Sequence, residues 1–133
     1  MKKILLVVFC LWLTGCTTTD GVRAANREKL LKLSLGMPKE EVMSTMGTKT
    51  ISAYGDIFGS GGSSIINNPY RSEILQGKDK VFEVLYYYTD VKKRDDAVTD
   101  DELTPLVFDN GKLIGWGWGF LQDNAQKYEI RMR

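Results

Sequence analysis

The chain has 133 residues, with 18 basic against 17 acidic side chains, no histidine, and two cysteines, Cys10 and Cys16. A near-neutral body argues against a nucleic-acid partner, which requires a basic face. Without histidine the commonest general base and metal ligand are missing, which excludes Ser-His and Cys-His nucleophilic catalysis and Cys/His zinc sites.

Met1-Lys2-Lys3 is basic, Ile4 to Leu13 is apolar, and Thr14-Gly15 are small. That order is the layout of an export signal. The apolar run is about ten residues long, against the roughly twenty needed to span a bilayer core, so a retained membrane helix is not expected. Leu13-Thr14-Gly15-Cys16 resembles the lipobox of bacterial lipoproteins. The resemblance implies cleavage before Cys16 and a diacylglyceryl thioether on its thiol. Two or more acyl chains anchor stably, because each buried methylene contributes about 0.8 kcal/mol. Thr17 follows the cysteine where Asp would imply inner-membrane retention. This resembles a lipoprotein sorted to the periplasmic face of a Gram-negative outer membrane.

Cleavage would leave about 118 residues with 16 basic and 17 acidic side chains, enough for one domain with a single core. Cys10 departs with the signal and Cys16 takes lipid, so no disulfide forms within one mature chain. The expected organisation is a signal peptide over 1–15, a lipidated tether over 16–25 and one domain over 26–133.

Thr17 to Gly21 is small and polar, as tethers are. Asn26 is then predicted to cap a helix from Arg27 to about Ser34, with Leu30, Leu31, Leu33 and Leu35 on its apolar side. Gly36 breaks it. Pro38 suits the first position of a second helix, and Glu40 and Glu41 suit its first turn. Val42, Met43 and Met46 form its apolar side, and Gly47 is its C-cap. Leu35-Gly36-Met37-Pro38-Lys39-Glu40-Glu41-Val42, followed by Met46-Gly47, is similar to the helix-turn-helix segment of the SmpA/OmlA (BamE-like) small outer-membrane lipoproteins. Pro38 stands where that family usually has Ser or Thr, and Thr48-Lys49 replaces an expected Pro, as in a divergent branch. The resemblance implies a non-enzymatic scaffold or accessory in envelope integrity, including outer-membrane protein assembly, with another envelope protein as partner. The helix-plus-sheet layout also resembles β-lactamase-inhibitor-like domains, which would make the chain a periplasmic inhibitor or ligand-binding module.

Gly55 to Ser64 is a Gly/Ser-rich stretch without the lysine of a phosphate loop, and reads as a surface loop carrying Ile57 and Phe58. Strands are predicted at Tyr70 to Leu75 and at Val81 to Tyr88. In the second, Phe82, Val84, Tyr86 and Tyr88 take one face and Val81, Glu83, Leu85 and Tyr87 the other. Asp90 to Glu102 reads as a solvated mixed-charge loop, because Asp95, Asp96, Asp100, Asp101 and Glu102 lack the spacing of a calcium loop. Glu73 and Glu83 as a glycosidase pair have no other support.

Asn110-Gly111 is a type I′ hairpin signal. It sets Asp109 opposite Lys112, Phe108 opposite Leu113 and Val107 opposite Ile114. Extending that ladder puts Leu103, Val107, Ile114, Trp116, Trp118 and Phe120 on one face, read as core, with a bulge or the end of pairing at Pro105. Leu106, Phe108, Leu113, Gly115 and Gly117 then fall on the other face and form the candidate partner surface. The expected architecture is α+β: two short N-terminal helices packed on one face of a three- to four-stranded antiparallel β-meander. No cofactor, metal or catalytic residue is expected.

Overall fold

A computed structural model describes residues 17–54, 63–93, 95 and 97–132. The signal segment, Cys16 and the 55–62 stretch lie outside the described residues. The fold is α+β, with short N-terminal helices against antiparallel sheet. Helix α1 spans Thr19–Leu30 and α2 spans Lys39–Met46. A two-stranded sheet pairs β1 (Ile51–Tyr54) with β2 (Ser63–Ile66). A four-stranded sheet follows in the order β3 (Arg71–Gln76), β4 (Val81–Tyr88), β5 (Leu103–Asp109), β6 (Lys112–Trp116). Helix α3, Trp118–Lys127, closes the element order.

The N-terminal helix lies earlier than its leucines suggest. Thr18 is the N-cap, its hydroxyl accepting from the Gly21 N–H at 3.0 Å. Residues 19–25, expected as tether, are therefore helical. Asn26 caps nothing. It is buried and donates to Asn68 Oδ1 at 3.0 Å and to the Tyr88 carbonyl at 2.8 Å. Arg23 is buried beside it, paired with Asp20 and donating to the Tyr88 hydroxyl at 2.6 Å. Leu30 ends α1, and the rest of the leucine run belongs to the connection after it, in which Leu33 is buried while Leu31 and Leu35 are exposed. Helix α2 forms as expected and has Gly47 (φ 94°) as C-cap, but Pro38, expected at its first position, is its N-cap.

Strand β4 is the centre of the molecule and has a core on each side. Phe82, Val84, Tyr86 and Tyr88 join Leu75, Leu103, Val107, Val22, and Leu121 and Ala125 of α3 in one cluster. Leu85 and Tyr87 join Leu33, Val42, Met46, Leu106, Phe108 and Leu113 in the other. Both faces of the sheet are thus covered, where a single covered face was expected.

The β5–β6 hairpin turns at Asn110 (φ 50°) and Gly111 (φ 74°), the left-handed pair of a type I′ turn. Asp109↔Lys112 and Phe108↔Leu113 pair as expected, but the register then shifts. Val107 pairs with Gly115 and Leu106 with Trp116. Ile114 is the extra residue of a bulge. The strand stops at Trp116, so Trp118 and Phe120 sit on a helix, correcting their assignment to the sheet. Pairing does end at Pro105, whose carbonyl accepts from the Gly117 N–H at 2.8 Å. Trp116, expected in the core, is 36% exposed. Trp118 is half-buried, and its indole N–H reaches the Leu103 carbonyl at 2.8 Å.

The mixed-charge stretch is described in part, Arg94 and Asp96 lying outside the described residues. It ends in a single 3₁₀ turn, Asp100–Glu102. Glu102 is buried, and its carboxylate accepts the backbone N–H groups of Lys92 (2.8 Å), Lys93 (3.3 Å) and Thr99 (3.1 Å). A buried carboxylate is tolerated only when its lone pairs are met in this way.

Candidate functional site

The surface expected to bind a partner is not free. Leu106 and Leu113 are 0% exposed and Phe108 is 1%. They pack beneath Leu33, Val42 and Met46, with Met37 and Met43 at the margin. Gly115 is bare for an internal reason: a Cβ there would lie 2.6 Å from the Phe120 ring. The close approach is made by the chain's own α3. Gly117 has φ 92° and is the N-cap of α3, so its missing side chain serves a backbone turn. Cys16 lies outside the described residues. Among the described residues there is no metal-ligating cluster, and no helix is long and apolar enough to cross a membrane.

What the fold leaves open lies at its edges. At β6 the chain closes its own edge. The segment 36–39 runs beside it, with Gly36 N–H to Leu113 O at 2.7 Å, Leu113 N–H to Met37 O at 2.9 Å and Lys39 N–H to Gly111 O at 2.8 Å. Pro38 within that segment offers no donor. The opposite edge is β3, which pairs only with β4 among the described residues. Its two faces differ. Ser72, Ile74 and Gln76 are exposed, Ile74 to 63%, and Val81 opposite Gln76 is 52% exposed. No β3 residue lies in the α2-side core, which stops at β4.

The other face of β3 carries a polar cluster. The Arg71 guanidinium stacks 3.7 Å above the Tyr86 ring and pairs with Glu73 (3.1 Å) and Asp100 (2.9 Å). The Tyr86 hydroxyl donates to Glu73 at 3.0 Å. Burial, reinforced by the Glu73 carboxylate, pushes the Tyr86 phenol well above its ordinary value. Burial opposes the Arg71 charge, but Tyr86, Asp100 and Glu73 outweigh it and hold the guanidinium above its usual range. A phenol so shifted is a poor base at neutral pH, and the arginine is already matched by carboxylates. The adjoining cleft, bounded by Leu75, Trp118 and Met132, has a volume of about 20 Å³, room for roughly one water. Chemically the cluster pins β3 to β4 and to the 3₁₀ turn. Glu73 serves that cluster and Glu83 pairs with Lys39 of α2, so the two carboxylates are engaged separately.

Residues 17–123 match the family model described as protein of unknown function (DUF3192). The chain belongs to the DUF3192 family. The match runs from Thr17 through both sheets and ends within α3. No curated protein and no solved structure matches the chain. The part shared with DUF3192 therefore includes the β3 edge, the segment that closes β6 and the helix that begins just after Cys16.

Proposed function

We propose that this DUF3192 chain is a lipoprotein, anchored through Cys16 at the periplasmic face of the outer membrane, and that it acts as a non-enzymatic accessory by contact with another envelope protein. The observation that carries the reading is the start of α1. Helix begins at Thr19 and is tied to the sheet through buried Arg23 and Asn26. Thr17 and Thr18 are all that separate it from Cys16, a reach of at most about 10 Å. An acylated Cys16 would hold the folded domain directly on the bilayer surface, a placement suited to a membrane accessory. The resemblance of residues 35–47 to the SmpA/OmlA segment supports the same class of role, and so does the uncovered β3 edge among the described residues.

Chemical crosslinking in intact envelopes, followed by affinity capture of the full chain, tests the role. Membrane-embedded or membrane-anchored envelope proteins are expected in the captured set, with β-barrel assembly components as the specific case the resemblance implies. Capture of one soluble periplasmic enzyme in matching amount would favour an inhibitor and contradict the accessory role.

A further inference from the structure

We infer that β3 is a self-association edge: two copies of this chain pair antiparallel through Ser72, Ile74 and Gln76, about a two-fold axis at Ile74. The backbone sets the geometry. The Gly77 N–H donates to the Lys80 carbonyl at 2.8 Å and closes the β3–β4 hairpin as a hydrogen-bonded pair. Bonding alternates along an antiparallel ladder, so Leu75, Glu73 and Arg71 bond to Phe82, Val84 and Tyr86. The N–H and C=O groups of Ser72, Ile74 and Gln76 consequently point away from the sheet.

Edges of this kind are normally blunted by Lys, Pro, a bulge or a covering segment. The chain uses a covering segment with Pro38 on β6. On β3 the outward positions carry Ser, Ile and Gln, with Ile74 63% exposed at the middle. Arg71 and Glu73, the charges of the strand, turn to the other face and neutralise each other. Such an edge fits an extended backbone with an apolar residue at its centre.

The strand itself meets that description. A two-fold axis at Ile74 sets Ile74 against Ile74 of the second copy and Ser72 against Gln76. Glu73 then faces Leu75, and Arg71 faces Gly77, so no like charges are opposed. Val81, 52% exposed and diagonal to Ile74 on the same face, extends the apolar contact. A strand pair this short buries less than the roughly 1,200 Å² of a dimer stable in dilute solution. Confinement to one membrane would raise the effective concentration and make the pairing significant. In that respect alone the inference rests on the anchored reading above.

Cysteine crosslinking in envelopes carrying the full chain tests the register. Cys10 and Cys16 are the natural cysteines, so the wild-type chain, which keeps both, is the control against which a thiol introduced on β3 is read. Hydrogen-bonded antiparallel partners have Cα atoms about 5.5 Å apart, within disulfide reach. Under mild oxidation, Ile74→Cys should give a covalent dimer on a non-reducing gel. Ser72→Cys alone should remain monomeric, and Ser72→Cys expressed together with Gln76→Cys should crosslink. The inference is overturned if neither Ile74→Cys nor the mixed pair crosslinks, or if every variant crosslinks equally, as random collision would give. An Ile74→Cys adduct to a different protein also overturns it. Fatty-acid labelling of the same samples reports the anchor separately: crosslinked dimer without label would reject the anchor and retain the dimer.

Discussion

Tyr87 shows how a single residue reports on the α2-side core. Its ring is fully buried, and its hydroxyl donates to the Gly47 carbonyl at 3.1 Å. Burial pushes its phenol up to about 12, against an ordinary value of 10.0. Below pH 10 both the folded and the unfolded chain keep the proton, and this residue's stability is fully present. As pH rises from about 10 to about 12 the unfolded chain releases the proton first, so stability falls. Urea unfolding between pH 8 and 11.5 should show that loss, with Tyr87 contributing less than about 1.4 kcal/mol per pH unit. Tyr87→Phe should be weaker by about 1 kcal/mol at neutral pH but lose less on going alkaline. An identical alkaline slope in both proteins would contradict the burial argument. The side to which Tyr87 points was legible in the alternation of β4. The reason for Gly115 was not, because the bulge at Ile114 shifts the register by one residue and brings the ring of Phe120, a helical residue, over that backbone.

Among the elements, β4 was legible end to end because every residue of Val81–Tyr88 except Glu83 is aliphatic or aromatic. Helix α3 was missed for a physical reason. Trp116-Gly117-Trp118-Gly119-Phe120 mimics a strand's period of two, whereas Trp118, Leu121, Ala125 and Tyr128 carry the helical spacing that governs the fold. The β1–β2 pair is too short to announce itself. Helix α1 was misplaced because its inner face is polar: Arg23 and Asn26 are buried there by hydrogen bonds to β4 and Asn68. That placement predicts slow amide exchange from residue 23 onward, whereas the expected tether over 16–25 would exchange at once. Asn26→Ala, which strands the Tyr88 carbonyl and Asn68, should cost about 2 kcal/mol and speed exchange in α1 before β4. Hydrogen-exchange mass spectrometry checks both, and full exchange of 19–30 within seconds in the wild-type protein would contradict the placement.

On the scale of the whole molecule, the α+β class and the antiparallel β3–β6 order follow from patterns visible in the chain. The covering of both sheet faces does not. It requires α3 on one side, and on the other the α1–α2 connection with α2. With β4 to β6 packed on both sides, the open surface lies at β3, which among the described residues has neither a second paired strand nor a covering segment. An acylated Cys16 followed almost at once by a capped helix would fix the domain at the bilayer, with β3 presented to neighbours on the same membrane. Metabolic labelling with a clickable fatty acid, applied to wild type and Cys16→Ala and followed by membrane fractionation, tests this most directly. Label is expected on the wild-type chain in the outer-membrane fraction and none on Cys16→Ala. An unlabelled wild-type chain, or label retained by Cys16→Ala, would contradict it.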